Sequence, residues 1–382
     1  MKKIGREVLF LKAGENNPRN GESTLLRAKD GRILFAYTEY VGDSWQDHAE
    51  ARISVCESLD EGETWSTPRV LISKPADAQN IMSPSLIRTK DGAMGMVYLR
   101  KDVLENGGVT CMPLFIRSED EGETWSQPRS CGFPTGYYCV INDGVTVTED
   151  GRIYVPASYT GACRDVMHIM KEPPLPHVSD VRIAYSDDHG QSWQVCEQVI
   201  SSPFQCRHGL FEPGIFEHED GVLWLYARTT FGHQYQAFSY DRGASWTAVT
   251  PNCRFTSPDS PMRVKRLGAY VGAIYNPIGY NCLFPNTESW SSPKRTPIVI
   301  AVSSKDGKDL SDPSMNATHG GFLEVARHTY LLEDDLTESY CYPSAIAVKD
   351  GILISYYHSD GSGKCLHASK IVKIGYEELD QS

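Results

Sequence analysis

The sequence lacks the cysteine pattern of a cross-linked or zinc-bound protein. Its 11 cysteines are an odd number, and none of them forms a CxxC pair. A disulfide framework needs paired cysteines, and a structural zinc site needs closely spaced ligands. We therefore expect mostly small buried thiols in a reducing compartment, with no metal and no other cofactor.

Long apolar runs and a surplus of basic residues are also missing. No apolar segment reaches the roughly 18 residues of a membrane helix, and no run of signal-peptide length follows the basic N-terminus. The net charge of −12 argues against nucleic acid or an anionic membrane as a partner, because phosphate binding needs clustered positive charge. We expect a cytoplasmic protein, unless a leader has been removed, and the oligomeric state stays open.

Motifs for several common chemistries are absent as well. There is no phosphate-binding loop, no serine nucleophile elbow and no dinucleotide fingerprint, and no histidine has metal-ligand spacing. The sequence is instead rich in residues that favour turns and strands, with 32 glycines, 22 prolines and 20 tyrosines. This composition leans toward β-structure.

Four octapeptides fit the pattern S-x-D-x-G-x-[ST]-W, and each follows a short strand-like run. In such a turn the Asp accepts backbone N–H bonds, the Gly permits a positive φ, and the Trp packs on a neighbouring sheet. We interpret the motif as structural rather than catalytic. The four copies are Ser58–Trp65, Ser118–Trp125, Ser186–Trp193 and Ser239–Trp246, and a degenerate fifth copy starts at Ser304.

A second repeat gives the number of structural units. It consists of an apolar strand, a tight turn and a second apolar strand. Six such hairpins alternate with the octapeptides, which predicts an all-β, six-bladed β-propeller of four-stranded antiparallel blades. Residues 1–382 then form a single domain, with the two ends of the chain sharing the last blade. The turns are Asp30-Gly31, Asp91-Gly92, Asp150-Gly151, Asp220-Gly221, Leu267-Gly268 and Asp350-Gly351.

Residues that precede the six hairpins should converge near the central axis on one face. The fourth hairpin illustrates this, because Glu212 opens its first strand and Arg228 ends its second. A tight turn between the strands would project both side chains from the same end of the ribbon. Further candidates at the same face are the segments 17–23, 47–50, 80–85, 142–143 and 340–344, together with Arg295.

The octapeptides, the six hairpins and these residues resemble the sialidase superfamily over nearly the whole chain. That family holds a sugar carboxylate with three arginines and uses a tyrosine nucleophile, an assisting glutamate and an acid/base aspartate. The resemblance implies Tyr342 as nucleophile, Glu212 as its base and Asp47 as acid/base, with Arg228 and Arg295 as the second and third arginines. Asp43, His48 and Glu50 compete with Asp47 for its role.

The first arginine of the family is the departure. Its position aligns with Gly21. Arg19, two residues earlier, is the candidate replacement. For Arg19 to reach the same place, the backbone must follow a different path. We add three residues as candidates for substrate contact: His48, His208 and Tyr340.

The chemistry of a sialoside explains why these residue types would be needed. Its anomeric carbon carries a carboxylate, which repels a carboxylate nucleophile, whereas a neutral phenol beside a base avoids the repulsion. Tyr342 would attack and Glu212 would take its proton, while Asp47 would protonate the leaving oxygen and then activate water. Arg228 and Arg295 would bind the substrate anion by charge-assisted hydrogen bonds.

These assignments predict a glycoside hydrolase, a retaining exo-glycosidase of sialidase type that removes a terminal acidic, sialic-acid-like sugar from a glycan or glycoside. The sugar and its linkage stay unspecified. One alternative is a propeller hydrolase or lyase for another acidic sugar, such as a uronic acid, with a histidine base. A second is a propeller that binds carbohydrate without catalysis, in which Glu212 and Arg228 form only a structural ion pair.

Overall fold

The computed structural model describes residues 1–161, 164–165, 179–203, 209–279, 295–303, 306–311, 328–359 and 366–379, and these form six antiparallel sheets. Strands are numbered in chain order. The first blade contains β2 (Asn20–Arg27), β3 (Ile33–Tyr40), β4 (Ala51–Ser58) and β5 (Arg69–Ile72). The second contains β6 (Asn80–Arg88), β7 (Met94–Val103), β8 (Gly108–Ser118) and β9 (Arg129–Ser130), with β13 (Arg164–Asp165) beside β8.

The third blade is the least regular. It consists of β10 (Tyr138–Cys139), β11 (Thr146–Val147), β12 (Ile153–Tyr159), β14 (Asp180–Ser186) and β15 (Gln194–Val195). The fourth contains β16 (Phe211–Glu217), β17 (Leu223–Arg228), β18 (His233–Ser239) and β19 (Thr250–Thr256), and the fifth contains β20 (Arg263–Leu267), β21 (Tyr270–Tyr275), β22 (Ile298–Ser303) and β23 (Thr329–Glu333).

The sixth blade joins the two ends of the chain. Its strands are β24 (Tyr340–Val348), β25 (Gly351–His358), β26 (Ala368–Gly375) and β1 (Arg6–Leu11), and β1 pairs with β26. The N-terminal strand therefore closes the ring, as the sequence predicted, and the expected six-bladed propeller is confirmed. Two four-residue helices, α1 (Lys308–Ser311) and α2 (Tyr376–Leu379), are the helical part of the described chain, and neither could span a membrane.

Apolar packing between neighbouring blades holds the ring together. Each of the six hydrophobic clusters joins two adjacent blades, and the one between the first and sixth blades includes Ile33 and Leu353. Burying one such aliphatic side chain stabilises a fold by about 1.5–3 kcal/mol. The tryptophans of the four octapeptides join these clusters, which supports their structural role.

The octapeptides form the predicted turns. In the first copy the Asp60 carboxylate accepts hydrogen bonds from the backbone N–H and the hydroxyl of Thr64, at 2.9 and 2.6 Å. Gly62 takes a φ of 83°, and its N–H donates to the Ser58 hydroxyl. The other three copies repeat these bonds.

A backbone irregularity recurs where the inner strands begin. Five non-glycine residues have a positive φ there: Glu22, Ser83, Asp143, Glu212 and Tyr342, with φ between 45° and 57°. In four of these blades the strand pairing shifts at the same point. Such bulges re-aim side chains and are common beside active sites. Here they bring side chains of different blades into contact.

Candidate active site

The centre of the site is formed by one residue from β24 and two from the fourth blade. Tyr342 Oη donates a hydrogen bond to Glu212 Oε1 at 2.6 Å. Arg228 Nη1 donates to Glu212 Oε2 at 2.5 Å and to Tyr342 Oη at 3.2 Å. Phe211 pairs with Arg228 across the hairpin, so Glu212 and Arg228 do project from the same end.

The fourth hairpin fixes Glu212 through its backbone. Glu212 N donates to the Ser158 hydroxyl at 2.6 Å, which anchors the bulge to the third blade. Gly214 has no side chain because a Cβ there would lie 2.4 Å from the Tyr226 hydroxyl. The backbone at Glu212 is therefore held by the third blade as well as by its own blade.

The electrostatics of Tyr342 favour a neutral phenol. Burial raises the pKa of Tyr342 well above its usual range, the Glu212 carboxylate raises it further, and Arg228 and Arg295 oppose the rise. At neutral pH the phenol therefore keeps its proton and needs a base to act as a nucleophile. Glu212 is the base within hydrogen-bonding distance.

Arg295 reaches the cluster from the fifth blade. Its guanidinium carbon lies 5.5 Å from the centre of the Tyr342 ring, and Nη1 donates to Cys341 Sγ at 3.2 Å. The side chain is buried, and the carbonyl of Arg295 accepts a hydrogen bond from the backbone of Tyr340. The structure thus brings together four of the residues predicted from sequence: Glu212, Arg228, Arg295 and Tyr342.

A carboxylate that the sequence reasoning missed completes this half of the site. Arg228 Nε donates to Asp259 Oδ1 at 2.7 Å. Burial works against the charge of Arg228, but Asp259 and Glu212 outweigh it and hold the pKa of the guanidinium well above its usual range. Asp259 precedes the inner strand of the fifth blade, and this position was a signal. The hairpin of that blade is harder to recognise, because its turn Leu267-Gly268 lacks the Asp-Gly pair of the other five.

Arg19 reaches the site from the first blade. Its guanidinium is buried and donates to Tyr357 Oη at 2.8 Å, to Asp47 Oδ1 at 2.6 Å and to Glu22 Oε1 at 2.7 Å. Gly21 leaves room for the Tyr357 ring, because a Cβ at Gly21 would lie 1.8 Å from Tyr357 Cε1. No arginine fits at position 21, and Arg19 enters the network from two residues earlier.

Asp47 is the most open acid of the site. Its side chain is 59% exposed, although one oxygen accepts from Arg19. The surrounding protein would raise the pKa of this carboxyl, but the positive charges of Arg19 and Lys101 outweigh that effect and place it well below its usual range. Asp47 is therefore ionised at neutral pH, the state required of a base.

Glu22 is a buried acid that the sequence reasoning also missed. Its carboxylate accepts from Arg19 and, at 3.0 Å, from the Ser83 hydroxyl. Burial raises the pKa of Glu22, and Arg19 opposes that rise. The available signal was its place in the first inner strand, equivalent to those of Glu212 and Tyr342.

Comparison with known proteins identifies the family. The sequence model of the BNR repeat-like domain matches residues 31–354. This chain belongs to the BNR repeat-like family. A sialidase of Bacteroides fragilis (strain YCH46) is 25% identical over 306 residues, which cover 73% of this chain and 52% of the relative. The chain therefore spans about half the length of that sialidase.

Solved structures share the fold of this BNR repeat-like protein. A Dyadobacter fermentans protein of unknown function has a TM-score of 0.69 at 19% identity, with 97% of this chain and 99% of that one covered. The Hadza microbial sialidase Hz136 has a TM-score of 0.68 at 17% identity, with 98% and 69% covered. The resemblance to the sialidase superfamily is confirmed, and the chain is a sialidase-fold protein related to glycoside hydrolases.

The remaining predicted residues of this BNR repeat-like protein lie in different surroundings. His48 follows Asp47, and its ring packs edge-on against Tyr137 at 6.4 Å. His208 lies outside the described residues. Tyr340 is a correction, because its hydroxyl donates to Glu338 at 2.7 Å and its ring belongs to the core between the fifth and sixth blades.

The bulge in β24 explains why Tyr340 and Tyr342 diverge. The pairing of β24 with β25 shifts after Cys341, so Tyr342 turns toward the axis while Tyr340 stays in the blade core. We therefore remove Tyr340 from the substrate-binding residues. Within the described part of the chain, no group of three or more His, Cys, Asp or Glu side chains is placed to hold a metal ion.

Proposed function

We propose that this protein is a retaining exo-glycosidase that removes a terminal sugar from a glycan or glycoside with Tyr342 as nucleophile. The observation that carries the proposal is the 2.6 Å hydrogen bond from Tyr342 to Glu212, with Arg228 donating to both partners. The similarity to a Bacteroides fragilis sialidase supports the reaction class.

In the first step the phenol oxygen attacks the anomeric carbon. Glu212 Oε1 accepts the proton of Tyr342 as the new bond forms, and the bond from the anomeric carbon to the leaving oxygen breaks. The hydrogen bond from Arg228 Nη1 to Tyr342 Oη stabilises the negative charge that develops on this oxygen. The product is an aryl glycoside, in which the anomeric carbon is bonded to Tyr342 Oη.

In the second step water replaces Tyr342 at the anomeric carbon. Asp47, open to solvent and ionised, takes a proton from the attacking water, and the departing phenolate recovers its proton from Glu212. Two successive inversions give net retention of configuration. Asp47 is ionised in the free protein, which is the protonation state that the hydrolysis step requires.

Asp47 must carry a proton to assist the leaving group in the first step. Its ion pair with Arg19 opposes protonation. We therefore expect aryl glycosides, whose leaving groups need little protonation, to react much faster than alkyl glycosides. The ratio of their first-step rates measures the extent to which Asp47 is protonated when substrate is bound.

The groups available to bind the substrate follow from the hydrogen bonds already formed. Arg228 Nη2 has no acceptor among the described residues, whereas Nε and Nη1 are both engaged. Arg228 and Arg295 are the guanidiniums that we assign to an acidic group of the sugar, and we assign His48, beside Asp47, to the leaving group.

The proposal is tested with a panel of aryl glycosides that includes a sialoside, uronides and neutral hexosides. We expect Tyr342→Phe to lower kcat/KM on the best substrate by at least about 10³-fold. A fluorinated sugar with a good leaving group should leave a covalent adduct on Tyr342, detected by mass spectrometry.

Tyr340→Phe is the matched control, because it removes a hydroxyl two residues away that also donates to a glutamate. It should leave the activity within a few-fold of the parent protein, about threefold. Full activity in Tyr342→Phe would refute the nucleophile. An unsaturated product absorbing in the ultraviolet would favour the lyase alternative instead.

A further inference from the structure

The donors of Arg19 are almost entirely used within the protein. A guanidinium has five N–H donors, and those of Arg19 reach Tyr357 Oη, the Trp45 carbonyl, Asp47 and Glu22. Its side chain is only 1% exposed. A substrate carboxylate could form a two-point contact with Arg19 only by displacing one of the two carboxylates that already bind it.

The Tyr357 ring fills the space that an arginine side chain at position 21 would need. Its ring lies against Gly21, and its hydroxyl accepts from Arg19 Nε. The same ring packs edge-on against Tyr342 at 5.8 Å. The packing that excludes an arginine at position 21 therefore also supports the proposed nucleophile.

Glu22 is a fixed carboxylate on the same face as that nucleophile. It takes the same bulged, positive-φ conformation as Glu212 and Tyr342. Arg19 and Ser83 each donate to one of its oxygens, which is how a protein binds a carboxylate ligand. Its charge is among those that raise the pKa of the Tyr342 phenol, after burial and Glu212. The Glu22 carboxylate thus binds Arg19 in the way that a substrate carboxylate would.

The charge of Arg19 is already compensated inside the protein. Glu22 and Asp47 both form ion pairs with its guanidinium. A substrate carboxylate placed against Arg19 would be a third negative charge on one buried cation. Burying a charge that lacks its own partner is costly.

We propose that Glu22 takes the place of a substrate carboxylate, so that this site accepts sugars with no carboxylate on the anomeric carbon. This inference rests on the proposed glycosidase function. Glu22 stabilises the positive charge that develops on the anomeric carbon in the oxocarbenium-like transition state. Its negative charge would also repel a carboxylate nucleophile, which explains a phenol at position 342 for such a sugar.

The substrate panel tests the inference on the unmodified protein. We expect the best neutral hexoside or uronide to have a kcat/KM at least about 10²-fold above that of the aryl sialoside. An aryl sialoside that is the best substrate overturns the inference, yet it leaves the glycosidase proposal intact. A uronide carries its carboxylate away from the anomeric carbon and is therefore compatible with the inference.

A binding experiment tests the inference without any turnover. Glu22→Ala removes the internal carboxylate and leaves Arg19 and Ser83 facing an open space, so acetate should bind there. We expect acetate at about ten times its Kd to raise the Tm of this variant by about 1–3 °C relative to chloride at the same ionic strength. The parent protein and Glu22→Gln, in which the space stays filled, should not respond.

Equal responses of Glu22→Ala and the parent protein to acetate would overturn the inference. If Glu22→Ala does not fold, the substrate panel decides alone. Absence of all glycoside turnover and of a Tyr342 adduct would refute the proposed function, whereas an acetate response confined to Glu22→Ala would still establish that Glu22 fills an anion site.

Discussion

The two halves of the site use the same residue types in opposite ways. In the half built by the fourth and sixth blades, Glu212 accepts a hydrogen bond from the Tyr342 phenol, and Arg228 Nη2 has no acceptor in the part of the chain that the structure describes. In the half built by the first blade, Arg19 is enclosed by two carboxylates and a tyrosine. The first half is arranged for proton transfer and the second for holding charges in place.

This contrast teaches that a residue's role depends on which hydrogen bonds it has left. Arg19 and Arg228 are both buried, and both bind two carboxylates. Arg228 also donates to the oxygen that would react, whereas the tyrosine bound by Arg19 faces Gly21. We therefore expect changes in the first half to affect catalysis and changes in the second to affect selectivity and stability.

The largest expected effect is that of Glu212→Gln. The amide keeps the size of the side chain but cannot take the proton of Tyr342, so kcat/KM on an aryl glycoside should fall by about 10³-fold. Glu338→Gln is the control, because Glu338 accepts from Tyr340 at 2.7 Å in the blade core. Similar losses in the two variants would mean that the Tyr342–Glu212 pair has only a structural role.

The next effect is on stability and concerns Arg228. Replacing it with Met removes the cation that donates to the buried Glu212 and to the partly buried Asp259, which should lower the free energy of unfolding by about 3 kcal/mol. Urea denaturation measures this loss. The double variant Arg228→Met, Glu212→Gln should recover part of it, because it also removes the buried charge of Glu212. A double variant with additive losses would argue against the pairing.

A smaller effect is expected at Gly21. Gly21→Ala drives a methyl group into the Tyr357 ring and should cost about 2 kcal/mol of stability by overpacking. Gly14→Ala is the matched control, since a Cβ at Gly14 meets nothing within 4 Å. Equal stabilities of the two variants, measured by urea denaturation, would show that Tyr357 moves aside and that position 21 can accept a side chain.

The fold was predictable because its signals are local and repeated. Each octapeptide forms its turn with hydrogen bonds between residues four apart in sequence. Asp60 and its equivalents can therefore be recognised from the spacing alone. The register of the hairpins then places Glu212, Arg228 and Tyr342 at the same face. These predictions needed only the strand period and the turn positions.

The rest of the site depends on contacts between distant segments. Glu22 contacts Ser83 of the next blade, and Asp259 contacts Arg228 from a segment whose hairpin lacks the Asp-Gly turn. The sequence repeats do not indicate which carboxylate will form an ion pair with a given arginine. The wrong assignment of Tyr340 has the same origin, because a bulge after Cys341 reverses the simple alternation of sides along β24.

The smallest effect expected concerns Asp47 and its dependence on pH. The pKa of Asp47 is depressed in the folded protein, so its ion pair with Arg19 stabilises the fold above the unfolded pKa of about 3.9. That contribution is lost as the pH falls from about 3.9 through the lower folded pKa. Because the side chain is largely exposed, we expect Asp47→Asn to cost less than about 1 kcal/mol at pH 7.

The difference between the parent protein and Asp47→Asn should therefore shrink as the pH falls below about 4. Urea denaturation at a series of pH values measures it, with Asp43→Asn, an exposed residue of the same loop, as the control. A difference that stays constant or grows on acidification would show that Arg19 does not hold Asp47 ionised. The first-blade half of the site would then have a free acid, and Asp47 could protonate a leaving group without help from the substrate.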